Sequence, residues 1–388
     1  MRQFIYLSPG MFGFGRLASF EYFAHLERAL TARFAKAGEH AEVHVVDVLP
    51  TSSVRRRASS LVELIARTAG TEGAIHLLGH STGGLDARLV VSPSAVLPFG
   101  AAELSWMHRV RSVTTMNTPH YGTPLASFFA TTRGQQVLYA LSAFTVMGLS
   151  LGAQPLALAS VLIGIFGRGE RSIGIELPLL RRSVDSLLNV VDSARDPGVR
   201  SYLRAIEQDQ GAMVQLSPEA MDLLLASVAD RSGVVYQSTA SMSPVPSAST
   251  WLEIVGHPFL AASLALFSAL HLITGNYDRR YPCASMSADD TPAAGEHNEA
   301  VLLRAFQRSP GLPDSDGVVP IRSQLWGRLI WAGLGDHLDV LGHYRDKHPD
   351  EHVDERHHDW LKSGSAFDDD AFESLMDAIA GGMLAAAR

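Results

Sequence analysis

Gly79-His80-Ser81-Thr82-Gly83 places a serine between two glycines, in a stretch that otherwise reads as core. Two chemistries of the stretch are possible: a glycine-punctuated turn, or a turn that holds Ser81 out as a nucleophile. The flanks favour the second. Gly73-Ala-Ile-His-Leu-Leu is a short apolar run suited to a buried parallel strand. "GGLDARLVV" then continues with helical character. Strand, tight turn and helix, in that order, form the arrangement that exposes a serine hydroxyl above a sheet. The helix behind it directs unpaired N–H groups and partial positive charge at the site.

A serine hydroxyl needs a base, and the base needs an orienting carboxylate. Downstream, "DSDGVVP" offers Asp314 and Asp316, with "VVP" expected at the end or edge of a strand. "GRLIWAG" reads as another apolar strand, and the glycine-rich turn after it carries Asp336 and His337. The order Ser81, Asp316, His337 suits the arrangement. An oxyanion also needs donors. Thr82 N–H, at the helix start, is one. The loop in "IYLSPGMFGFG", after a predicted first strand "RQFIYL", offers Met11 N–H as the second.

The wider sequence sets limits. A net charge of −8 without a basic tract argues against nucleic acid as a partner. The single cysteine, Cys283, forbids an intramolecular disulfide and fits a reducing compartment. No signal peptide is visible, so a cytoplasmic location is expected, although secretion of a trimmed chain stays open. Two stretches, residues 134–167 and 254–277, are almost entirely apolar. Pro155 splits the first, and His257, Pro258 and His271 interrupt the second. They are read as helices covering the site and lining an acyl pocket, with buried core helices or membrane insertion as the alternatives. "GVVYQSTAS" at Gly233–Ser241 returns to strand character, and "DAFESLMDAIAGGMLAAAR" closes the chain with helical spacing.

Four segments resemble the α/β-hydrolase superfamily, in particular bacterial triacylglycerol lipases and related esterases: "SPGMFG", "GHSTGGLDAR", "NTPHYGTPLA" and "SDGVVPIRSQLWGRLI…DHLD". The resemblance spans roughly residues 1–127 and 232–345. It implies a mostly parallel central sheet flanked by helices. Residues 1–127 would be the first part of the core, 128–232 an apolar helical cap, and 233–388 the second part, with a further apolar insertion at about 242–310. It favours Asp316 over Asp314 as the acid, because Gly317 and "VVP" follow. Pro9 stands where the family's oxyanion loop usually has histidine.

The expected activity is carboxylic-ester hydrolysis through an acyl-enzyme, on a small-molecule or lipid-like ester. Phe12, His120, Leu141 and Phe144 are candidates for the substrate pocket. The cap could touch a lipid surface transiently; oligomeric state is left open. An acyltransferase or polyester depolymerase would use the same residues, and a non-catalytic lipid-binding protein is a rival of another class. No cofactor is required. Asp339 matches an aspartate that binds structural calcium in some of these lipases, but His343 stands where a glutamine is expected. His343, His348, His352, His357 and His358 lie among charged residues and are read as a solvated helical face; His76, His44 and His80 are read as packed histidines.

Overall fold

The computed structural model describes residues 2–11, 16–17, 20–49, 51–131, 209, 211–246, 258–281, 283, 295–344, 359 and 361–388. Phe12, Leu141, Phe144, the apolar stretch 134–167 and four of the five tail histidines lie outside them.

Strand β1 (Arg2–Ser8) is followed by a two-residue pair, β2 (Arg16–Leu17) and β3 (Phe20–Glu21), and then helix α1 (Ala24–Lys36). The chain continues through β4 (His40–Val45), α2 (Val54–Thr68), β5 (Ala74–His80), α3 (Thr82–Val91), β6 (Val110–Met116) and α4 (Pro124–Phe129). Beyond residue 210 come α5 (Gly211–Gln215), α6 (Pro218–Ser227), β7 (Val235–Met242), α7 (Pro258–Thr274), α8 (Glu296–Phe306), β8 (Arg328–Leu334) and α9 (Asp369–Ala386). Six strands form one parallel sheet in the order β4-β1-β5-β6-β7-β8. The fold is therefore α/β, with helices on both faces.

Side-chain alternation along β1 and β5 divides the core into two layers. Phe4, Tyr6, Ile75 and Leu77 face a cluster with Ala58, Leu61, Val62 and Ile65 of α2. Ile5, Leu7 and Leu78 face the opposite cluster, with Leu26, Leu30 and Phe34 of α1 and Leu375, Ile379 and Met383 of α9. The four-residue spacings of the helical sets keep each on one stripe. Both sheet faces are covered, so β5 is buried along its whole length.

One expectation changes. "VVP" is not a strand. Ser315 and Pro320 close a small bridge, and Ile321–Gln324 form a 3-10 turn. The reason is local: Asp316 captures the amides of Val318 and Val319, which removes the donors a strand would use. The end of the expected cap also packs on the core. Ala212, Leu216 and Met221 join the α2–α3 cluster, and Thr123 N–H donates to Leu216 C=O. In the second apolar stretch α7 buries Leu266 and Leu270 against Leu125 and Phe129. Among the described residues, no helix is long and apolar enough to cross a membrane.

Candidate active site

Parallel strands bring all their C-terminal ends to one edge, and the loops leaving that edge form the site. Ser81 leaves β5 with φ 54° and ψ −127°, a strained backbone for a residue with a Cβ. Its N–H donates to Met116 C=O, fixing the turn to the neighbouring strand. The glycines around it are required by close approach. A Cβ on Gly79 would lie 2.1 Å from the Gly83 backbone, one on Gly83 2.0 Å from Ser8 C=O, and one on Gly84 2.0 Å from Thr118 Oγ1. Gly79 and Gly83 sit at backbone contact and Gly84 against the Thr118 side chain, so a Cβ fits at none of the three, which explains why this core stretch is glycine-rich.

Asp316 and His337 meet at 2.7 Å, Oδ2 to Nδ1. Asp316 is fully buried, and His337 and Ser81 retain only 6% and 7% exposure. The carboxylate is completely engaged: Oδ1 accepts the amides of Val318 (2.9 Å) and Val319 (2.7 Å), and Oδ2 accepts His337 and the side-chain amide of Asn117 (2.8 Å). His337 N–H also donates to Asp316 C=O, tying the two loops together. Because Nδ1 points at the acid, Nε2 is the ring atom left for a nucleophile. Asp314 takes a different role: Arg308 grips both its oxygens at 2.6 Å, away from His337.

His80 joins these parts. Its Nε2 lies 2.9 Å from His337 C=O, which can only accept, so Nε2 carries the hydrogen. Burial, followed by the neighbouring His337, pushes the His80 pKa well below the ordinary value, so the ring is neutral. Its Nδ1 then accepts from Tyr22 Oη at 2.8 Å, and Tyr22 Oη accepts from Gly10 N–H at 3.3 Å. The His80 and His337 rings are 4.7 Å apart. One neutral relay thus connects the Pro9-Gly10-Met11 loop to the backbone of His337.

A second support is a buried ion pair. Arg57 and Asp86, both with side chains wholly buried, pair at 2.8 Å, and Asp86 also accepts from Ser8 Oγ at 2.8 Å. Burial raises the Asp86 pKa, and Arg57 opposes that rise. The guanidinium also donates to the carbonyls of Pro9 and Gly10. With those carbonyls held on Arg57, the loop brings Gly10 against Ser81, whose Cβ would be 2.8 Å from a Cβ on Gly10. Thr82, in the first turn of α3, has an amide without an intrahelical acceptor.

The structure moves two candidates elsewhere. His120 is fully buried. Its Nδ1 lies 3.1 Å from Arg88, its Nε2 3.0 Å from Thr115 Oγ1, and its ring is 5.5 Å from that of Trp326. It offers no surface for a pocket, because Arg88, itself buried and stacked 3.4 Å over Trp326, draws the ring inward. His343 is buried beside His25 rather than on a solvated face. His76 is a packed histidine bonded to Ser112 and Gln3.

Asp339 is buried next to Asp336, and with half-buried Asp359 they place three carboxylate oxygens within 4.8 Å of one another. Burial raises both buried groups, Asp336 to about 7 with Asp359 adding to the rise, and Asp339 well above its ordinary value with Asp336 and Asp359 adding to it. Ser363 and Ser365 donate to them. Among the described residues no cation pairs with either.

In sequence, 111 residues are 32% identical to a triacylglycerol lipase of Vibrio cholerae serotype O1, covering 28% of this chain and 34% of that lipase. The chain thus matches about a third of the length of that curated relative. No family model matches. Among solved structures, the Staphylococcus hyicus lipase overlaps with a TM-score of 0.47 at 15% identity, covering 99% of this chain and 95% of that one. EstA from Clostridium botulinum gives 0.49 at 18% identity, covering 95% and 87%. Lipase 1 from Pelosinus fermentans gives 0.45 at 19% identity, covering 93% and 97%.

Sequence reasoning missed Arg57, Asp86, Tyr22 and Asn117. One signal existed: Asp86 is the acid in "GGLDARLVV", a run apolar but for it and Arg88, and a carboxylate buried there demands a partner. Arg57, within "RRR", carried no comparable mark.

Proposed function

We propose that this protein is a serine carboxylic-ester hydrolase, lipase- or esterase-like. The observation that carries the reading is the buried Asp316–His337 pair beside the strained turn of Ser81, the His337 ring lying 4.7 Å from that of His80, the residue before Ser81. Ser81 Oγ attacks the ester carbonyl as His337 Nε2 takes its proton. Asp316 holds the ring by Nδ1 and stabilises the imidazolium. The amides of Thr82 and Met11 receive the developing oxyanion. Collapse of the tetrahedral intermediate breaks the bond to the alkoxy group, which leaves with the proton from His337. Water then attacks the acyl-enzyme by the same steps, releasing the acid and restoring Ser81.

An apolar acyl ester is the substrate class. Leu125, Phe129, Met213, Leu266 and Leu270 form an apolar cluster against which pack Met11, a proposed oxyanion donor, and Val318, whose amide donates to the proposed acid. The likeness to a named triacylglycerol lipase supports the same class. Within residues 128–232, the part before α5, with Leu141 and Phe144, would add a cap over the acyl chain.

Asp336, Asp339 and Asp359 are hard oxygen donors that fit a divalent cation such as calcium. Bound there, it would neutralise the buried carboxylates and tie the loop after His337 to residues 359–365. No catalytic step runs through it.

Hydrolysis of a p-nitrophenyl ester series tests the reading. Ser81→Ala should stay folded and lose about 10⁴-fold or more in turnover. Asp316→Asn should cost far more than Asp314→Asn. Near-normal turnover in folded Ser81→Ala would overturn the mechanism.

A further inference from the structure

Asn117 follows the last residue of β6 with φ 49°, the left-handed region. Asparagine tolerates that backbone better than most residues, but glycine tolerates it better still. Its side chain is fully buried. Nδ2 donates to Ser241 Oγ at 2.6 Å and to Asp316 Oδ2 at 2.8 Å. Oδ1 is buried and meets no donor among the described residues. The amide cannot be turned around, because Oδ1 would then face the carboxylate. A strained backbone and an unmet buried acceptor are two costs kept at one residue, and the amide donor on Asp316 is what both permit.

We propose that Asn117 is a positioning residue of the ester-hydrolase machinery: its amide fixes the Asp316 oxygen that holds His337 and shares that oxygen's negative charge. The proposal rests on the Ser81–His337–Asp316 reading. Oδ2 has two donors, His337 Nδ1 and Asn117 Nδ2, so the carboxylate's orientation towards the ring depends on both. His80 lies against the His337 ring, and Asp314 is turned onto Arg308. Without the Asn117 amide, Oδ2 would keep His337 Nδ1 as its one donor among the described residues, and the carboxylate would hold the ring less firmly in place.

Two variants separate positioning from structure. Asn117→Gly accepts the left-handed backbone and deletes the donor. Asn117→Asp keeps shape and backbone, and its buried carboxyl group shares one proton with Asp316, so an O–H donor can stand in for the amide. kcat and KM on a p-nitrophenyl ester, Tm and fluorophosphonate labelling are measured on wild type and both variants. Asn117→Gly should keep its Tm and KM and lose roughly tenfold in kcat. Asn117→Asp should recover most of that kcat, because a donor again reaches the Asp316 oxygen. A kcat in Asn117→Gly within about twofold of wild type would overturn the proposal, as would activity that falls only in step with Tm. If wild type hydrolyses the ester but is labelled elsewhere than Ser81, the triad reading itself falls, and the role of Asn117 with it.

Discussion

Replacing Arg57 by methionine should damage stability and activity by different routes. The guanidinium is wholly buried, pairs with Asp86 at 2.8 Å and holds the carbonyls of Pro9 and Gly10. Removing one partner of a buried pair costs about 3–5 kcal/mol, because a charge is left in a medium that cannot solvate it. Asp86 already has a raised pKa from burial, so it takes up a proton in the variant and the loss settles near the lower figure. The two abandoned carbonyls add about 1 kcal/mol each when partly rehydrated. A total of about 5 kcal/mol, for 388 residues at about 2 cal/mol/K each, lowers Tm by about 6 °C. Arg57→Met/Asp86→Leu removes both charges and should recover about half of that loss. Activity should not follow: the loop carrying Met11 stays unanchored, so kcat/KM should remain down by on the order of 10²-fold, the scale of losing one oxyanion donor. Thermal unfolding and p-nitrophenyl ester turnover on the single and double variants decide. Recovery of activity together with stability would refute the claim that Arg57 positions the loop.

Three further outcomes follow from the geometry. Ser81→Gly relieves the φ 54° strain that Ser81→Ala retains, so in thermal unfolding it should be more stable than Ser81→Ala by about 1 kcal/mol, while both are inactive. Burial lowers the His76 pKa to about 4; between pH 6.5 and 4 the unfolded chain therefore binds a proton that the folded one refuses, and stability falls with pH by up to about 1.4 kcal/mol per unit, a slope that denaturant titration should find shallower in His76→Gln. Asp336, raised to about 7, acts in the opposite sense: the folded state holds the proton, so its contribution weakens as pH rises from 4 to 7. Calcium at a hundredfold excess over Kd should then add about 2.7 kcal/mol at pH 7 and less at pH 5, where protons compete, and Asp339→Asn should abolish the calcium-dependent Tm shift.

Local chemistry made much of the fold and site readable. β5 and α3 were legible because an apolar run, a Gly-x-Ser-x-Gly turn and a helical pattern lie consecutively. Strand β8 and the turn carrying His337 were legible for the same reason, and Asp316 by its position before a glycine. What stayed hidden depends on contacts far along the chain. Arg57 finds Asp86 across 29 residues and the loop carbonyls across 47 and 48, and Asn117 meets Asp316 across 199. "VVP" has strand composition, but a neighbouring carboxylate takes the amides of both valines. His120 lies at a strand end, where pocket residues are expected, yet buried Arg88 draws its ring into the core.

The proposed mechanism stands on Ser81 as the nucleophile. Treating the folded protein with a fluorophosphonate and mapping the adduct by peptide mass spectrometry puts that assignment to the test. One adduct per chain is expected, on the peptide carrying Ser81, formed in step with loss of ester turnover and absent in Ser81→Ala. An enzyme that loses its turnover with the adduct on another residue, or keeps full turnover with Ser81 modified, would contradict it.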